Sequence, residues 1–94
     1  MEFEWWIGSD HYLKWSDVAA WEVMEVLYSP HRWPRAATTR DGLPVLTVWG
    51  RTEEGRAIVV ILRPLRSSEK WQILMAVPME PRQLEEFTAW EAHQ

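Results

Sequence analysis

The sequence predicts a single α+β domain over residues 1–94: a mostly antiparallel sheet of four to five strands packed by two helices, in the order β-α-β-β-β-β-α. Three observations predict it. Ninety-four residues are enough for one hydrophobic core and too few for two. Two segments place apolar residues at three- and four-residue steps, the mark of an amphipathic helix. Between them lie runs of β-branched and aromatic residues separated by short turns, and short connections make neighbouring strands antiparallel.

Phe3 to Ile7 reads as a short aromatic strand closed by Gly8-Ser9-Asp10. The first helix is expected over Ser16 to Tyr28, bounded by Pro30. Ser16 suits the N-cap and Asp17 the first turn, where a carboxylate meets the positive end of the helix dipole. Val18, Trp21, Met24, Leu27 and Tyr28 form its apolar face, widened by Val23 and Val26. His31 to Thr39, with Trp33 and Pro34, is a candidate edge strand. Asp41-Gly42 is a hairpin signal that leads into Val45-Leu46-Thr47-Val48-Trp49. Glu53-Glu54-Gly55 turns the chain into Ala57 to Leu62, a continuous apolar run suited to a central strand buried on both faces. A turn over Arg66-Ser67-Ser68-Glu69-Lys70 leads to a last strand, Trp71 to Val77, ended by Pro78. Pro81 suits the first turn of a final helix whose apolar face is Leu84, Phe87 and Trp90.

The eight tryptophans are expected mostly to fill the core. Zero cysteines exclude disulfides and thiolate metal sites and point to a reducing compartment, the cytoplasm. Met1-Glu2-Phe3-Glu4 lacks the basic and apolar regions of a signal peptide, and the apolar run Ala57 to Leu62 is too short for a membrane span. The net charge of −4 is strongly segregated. Residues 32–66 hold seven arginines against three acids, whereas residues 1–31 hold one lysine against six acids, and residues 67–94 two bases against five. One reading pairs this arginine block with acids on the helices. The other gives it an anionic partner, RNA or an acidic protein, because guanidinium forks onto phosphate and carboxylate alike.

Several chemistries find no support. His11, His31 and His93 lack metal-ligand spacing, and the isolated glycines make no phosphate loop, so neither metal nor cofactor is expected. No serine sits in a nucleophile elbow. Asp10-His11 reads as a solvated loop pair, and Glu22/Glu25 and Glu85/Glu86 as exposed helix acids. The residues that remain suit one reaction, RNA cleavage by attack of the 2′-hydroxyl. It needs positive charge on the phosphorane and groups that take and give a proton.

The order of motifs resembles the BrnT family of bacterial toxin–antitoxin toxins across most of the chain. The resemblance lies in Phe3-Glu4-Trp5, in the acidic-aliphatic helix Trp21 to Tyr28 followed by Ser29-Pro30, and most tellingly in Val48 to Val60, which repeats the family's Gly-Arg, turn, Gly-Arg, aliphatic-strand pattern. Ile73-Leu74-Met75-Ala76, then Pro81 and a helix with Phe87, is similar to the family's last strand and helix. The resemblance implies a RelE-like ribonuclease fold, an mRNA substrate cut without a metal, and a DNA-binding antitoxin partner. By position it assigns catalysis to Arg51 and Arg56, with Lys14 a looser match to the basic residue before the helix. Arg32, Arg35 and Arg63 of the arginine block are the further candidates for RNA contact.

The chain departs from the family at three places. Val77-Pro78 follows Ala76 where the family carries Arg, Gln83 stands for a family Glu, and Lys14-Trp15-Ser16 lacks the family's His. These departures motivate a second reading, a catalytically silent toxin-fold protein that binds a protein partner or a second copy of itself. A structural domain with a solvated arginine block is the third.

Overall fold

The computed structural model describes residues 2–66 and 69–94. Its elements are β1 (Glu2–Trp5), α1 (Ser9–Ser16), α2 (Ala20–Leu27), β2 (Trp33–Thr38), β3 (Pro44–Arg51), β4 (Ala57–Pro64), β5 (Lys70–Pro78) and α3 (Pro81–Glu91). The strands form one mixed sheet in the order β1-β5-β4-β3-β2. The α+β class and the single domain are as the sequence predicts.

The aliphatic run of β4 explains the layering. Alternate side chains leave opposite faces of a strand. Ile58, Val60 and Leu62 meet Leu13 of α1 and Val23, Val26 and Leu27 of α2 in the main core. Val59 points the other way, into a smaller cluster with Trp49 and Phe87 of α3, flanked by Trp33 and Trp90. Helices therefore cover both faces of the centre of the sheet. Each fully buried Val, Leu or Ile contributes roughly 1.5–3 kcal/mol relative to exposure.

On β5, Ile73 and Ala76 both enter the main core although they are three residues apart. The register supplies the reason. Met75 pairs with Ile61 and Ile73 with Leu62, so Leu74 is passed over at an irregularity in the ladder. One extra residue restores the alternation and keeps both side chains on the same face.

Both predicted hairpin turns are present, with Gly42 at φ 85° and Gly55 at φ 93°, backbone that residues with a Cβ rarely adopt. β2 is the edge strand expected around Trp33 and Pro34. Thr39 N–H donates to Leu43 O at 2.9 Å. Counting pairs back from that bond puts Pro34, opposite Val48, at a non-hydrogen-bonded position, where its missing N–H costs no ladder bond.

The structure departs from the expectations, or adds to them, at four points. First, there are three helices. Ser16 ends α1 instead of capping the next helix, and its hydroxyl donates back to Leu13 O at 3.3 Å. Asp17 adopts left-handed backbone (φ 59°) and breaks the chain before α2. Asp and Asn tolerate that conformation better than most residues, and helical periodicity alone does not signal such a break. Asp10 and His11 accordingly sit in a helix, not a loop.

Second, the sheet is mostly antiparallel as expected, and the one pairing that the short connections did not place is β1 with β5, parallel, Glu2 opposite Lys70. Hairpin reasoning reaches only strands that are neighbours in sequence. Third, Val18, Met24 and Leu27 turn to the core with Val23 and Val26 as expected, but Trp21 (54% exposed) and Tyr28 (64%) point outward. Likewise Phe87 is buried in α3 but Leu84 is exposed. Fourth, only Trp49 of the tryptophans is buried, and Trp15 is 86% exposed. The turn expected at Arg66-Ser67-Ser68-Glu69-Lys70 rests on Ser67 and Ser68, which lie outside the described residues.

α2 rests directly on β3. A Cβ built at Gly50 would lie 2.9 Å from Val26 Cγ1, a stiff β-branched side chain that is itself fully buried. Gly50→Ala should therefore lower stability by about 1–3 kcal/mol through overpacking, read as a lower urea midpoint at unchanged slope.

Candidate functional site

The arginines leave the sheet at strand ends and edges, where the helices present carboxylates. Arg51, the last residue of β3, meets Glu91 of α3 in a fork. Its Nε donates to Oε2 at 2.9 Å and Oε1 at 3.0 Å, and its Nη2 donates to Oε1 at 2.9 Å. Nη1 donates to Gly55 O at 3.1 Å, and Nη2 lies 3.4 Å from Thr88 Oγ1. The hydrogen bond to Glu91 raises the Arg51 pKa. Burial acts against it and coulombic attraction to Glu91 adds to it. The guanidinium is a permanent charge, and the structure has already given it a counterion.

Arg56 reaches α2, where Nη1 donates to Glu22 Oε1 at 2.8 Å. The same oxygen accepts Ala19 N–H at 3.0 Å, so Glu22 both caps the helix and binds the arginine. Glu22 is buried at 8% exposure, which corrects its reading as an exposed helix acid. Arg35, on edge strand β2, pairs with Glu86 of α3 at 2.7 Å. Its guanidinium lies over the rings of Trp33 (4.2 Å to the centroid) and Trp49 (4.9 Å). Arg32 Nη1 donates to Leu27 O at the end of α2 at 2.6 Å, and Arg63 Nε donates to Gln72 Oε1 at 2.7 Å. Lys14 stands exposed in the last turn of α1.

The six sequence candidates do not converge. Arg56 and Lys14 share a shallow depression with Asp10, Asp17 and Glu22, in which acids outnumber bases. Arg51 lies in another cleft, of about 540 Å³, between the end of α2, the β3–β4 turn and the last turn of α3. Arg32, Arg35 and Arg63 line neither depression. Of the two readings of the arginine block, pairing with helix acids describes Arg35, Arg51 and Arg56.

The Arg51 cleft gathers residues that sequence reasoning passed over. Glu25 and Tyr28 come from the end of α2 and its cap, and His31 follows shortly after. Glu53 comes from the β3–β4 turn, and Trp90 and Glu91 from α3. Glu53 N–H donates to Glu25 Oε1 at 3.2 Å, tying the turn to the helix. Trp90 is held by stacking on Trp33 (centroids 5.2 Å apart, planes 6° apart) and on Phe87 (5.5 Å). One signal was available: Glu25 and Tyr28 are three apart and share one side of the helix, while Val26 and Leu27 face the core. Nothing local indicated that α3 would close the far wall.

Compared with known proteins, the chain matches no family model, and no curated protein matches it either.

The ion pairs differ in burial, and their removal should separate accordingly. Arg56→Met leaves the Glu22 carboxylate, 10% exposed, without its cation and should destabilise by about 1–3 kcal/mol. Glu86→Gln breaks the exposed Arg35 pair while leaving the guanidinium over its two rings, and should cost no more than about 1 kcal/mol. Chemical denaturation of the two variants compares them directly.

Proposed function

We propose that this chain is the toxin-fold member of a type II toxin–antitoxin pair, of the BrnT-like, RelE-like kind, and that it works by binding a protein partner. The observation that carries this reading is the state of Arg51 and Arg56. Both arginines that the family resemblance assigns to cleavage are ion-paired to helix carboxylates. A phosphate arriving at Arg51 meets a guanidinium already forked onto Glu91, beside Glu25 and Glu53. Like charge so close opposes a polyanion. Meanwhile Ile7, Trp15, Trp21 and Tyr28 stand exposed, and Trp and Tyr are frequent interface anchors. The partner in this reading is the DNA-binding antitoxin, and the compartment is the cytoplasm. No helix among the described residues is long and apolar enough to cross a membrane.

A second reading, metal-independent cleavage of mRNA, is favoured by one arrangement: the cleft that holds Arg51 also contains His31 and Tyr28. An imidazole can take the 2′-hydroxyl proton and return it to the 5′-oxygen as the P–O5′ bond breaks, while a guanidinium stabilises the phosphorane. Pairing with Glu91 weakens Arg51 in that role.

Induced expression of the chain alone, with growth and mRNA integrity followed, separates the readings. The partner-binding reading expects growth and mRNA to stay intact, for the wild type and for Glu91→Gln, which loosens Arg51. Loss of mRNA that increases in Glu91→Gln and disappears in His31→Ala, with both variants folded, would establish the cleavage reading instead.

A further inference from the structure

The cleft between α2, the β3–β4 turn and α3 is lined by three carboxylates, Glu25, Glu53 and Glu91, against the single guanidinium of Arg51. Tyr28 and Trp90 supply aromatic wall. Its volume of about 540 Å³ falls within the roughly 300–1,000 Å³ of typical ligand sites. We propose that this cleft receives a guanidinium or ammonium group carried on a basic segment of a partner protein. The proposal rests on the partner-binding reading for the source of the cation. The choice of a cation follows from the walls themselves.

Glu25 is pre-oriented. Its Oε1 accepts Glu53 N–H, and its second oxygen accepts no bond from the described residues. Glu53 is exposed at the tip of the turn, so its carboxylate is available to a guest. Tyr28, 64% exposed, offers a ring to an incoming cation, and Trp90 is fixed in place by Trp33 and Phe87. The wall already displays the chemistry of such a guest, because Arg51 forks onto Glu91 there. A guest guanidinium at Glu25 would repeat that pairing on the opposite side. An anionic guest would find the cleft's one guanidinium already matched by Glu91.

The test uses the purified full chain and three probes: a peptide of alternating glycine and arginine, spermidine as a free polyamine, and a single-stranded RNA oligonucleotide. Amide chemical shifts of Glu25 and Glu53 report occupancy. The peptide should shift both, its affinity should fall at raised salt, and Glu25→Gln with Glu53→Gln should weaken it about tenfold or more. Glu53→Lys, a charge reversal at an exposed turn, should abolish binding while leaving the thermal transition in place.

Undiminished peptide affinity in either variant would overturn the site. Spermidine binding as tightly as the peptide would overturn the protein source of the cation. RNA shifting the same amides would overturn the choice of a cation. A chain that binds a protein partner in cells but no peptide at these amides would sink the cleft assignment alone. A chain that binds the peptide and also degrades mRNA would sink the partner-binding reading alone.

Discussion

Burial of β4 on both faces is the constraint on which the rest of the structure depends. A strand reading Ala-Ile-Val-Val-Ile-Leu presents no polar face to water, so each side of the sheet must carry a helical layer. α1 and α2 provide one and α3 the other. The irregularity at Leu74 serves the same end, since without it Ile73 and Ala76 could not share a face. α3 covers its face alone, and it relies on large rings: Phe87 and Trp90 pack with Trp33 and Trp49.

The segregation of charge along the chain becomes complementarity in space. The basic block forms β2, β3, β4 and the turns between them, and the acidic segments supply the three helices along with β1 and β5. Arg51 to Glu91, Arg35 to Glu86 and Arg56 to Glu22 each join strand or turn to helix, two of them on α3 and one on α2. Such pairs add modestly to stability when half exposed. They also specify which helix sits where, because a guanidinium fork accepts a carboxylate only in a narrow set of orientations. The result is a surface on which the arginines most conspicuous in the sequence are among the least available to a ligand.

Most of the strands were legible, because their turns carry Asp-Gly and Glu-Gly signals and their cores are β-branched. α1 was not. Its eight residues bury only Ser9 and Leu13, too few to show a period, and its end depends on one left-handed aspartate. The parallel pairing of β1 was equally hidden, as it joins strands far apart in the chain. At the site, Arg51 and Arg56 could be picked out by type and spacing, but their partners could not, since Glu91 lies 40 positions from Arg51 and Glu22 lies 34 from Arg56. The cleft is a product of tertiary closure: α2 alone gives Glu25 and Tyr28, and only the return of α3 makes them a wall.

The position of β1 bears on how the chain reaches its fold. In the fold Glu2 to Trp5 pair with Lys70 to Ile73, so β1 has no partner strand until β5, the last strand in chain order, is in place. Contacts between residues so distant in sequence carry a high loop-closure cost and form late. Until then Phe3, Trp5 and Trp6 travel as an unpaired aromatic segment, and the β5 edge stays open beside it. During that interval the nascent chain is most exposed to wrong strand pairing, either with itself or with another copy.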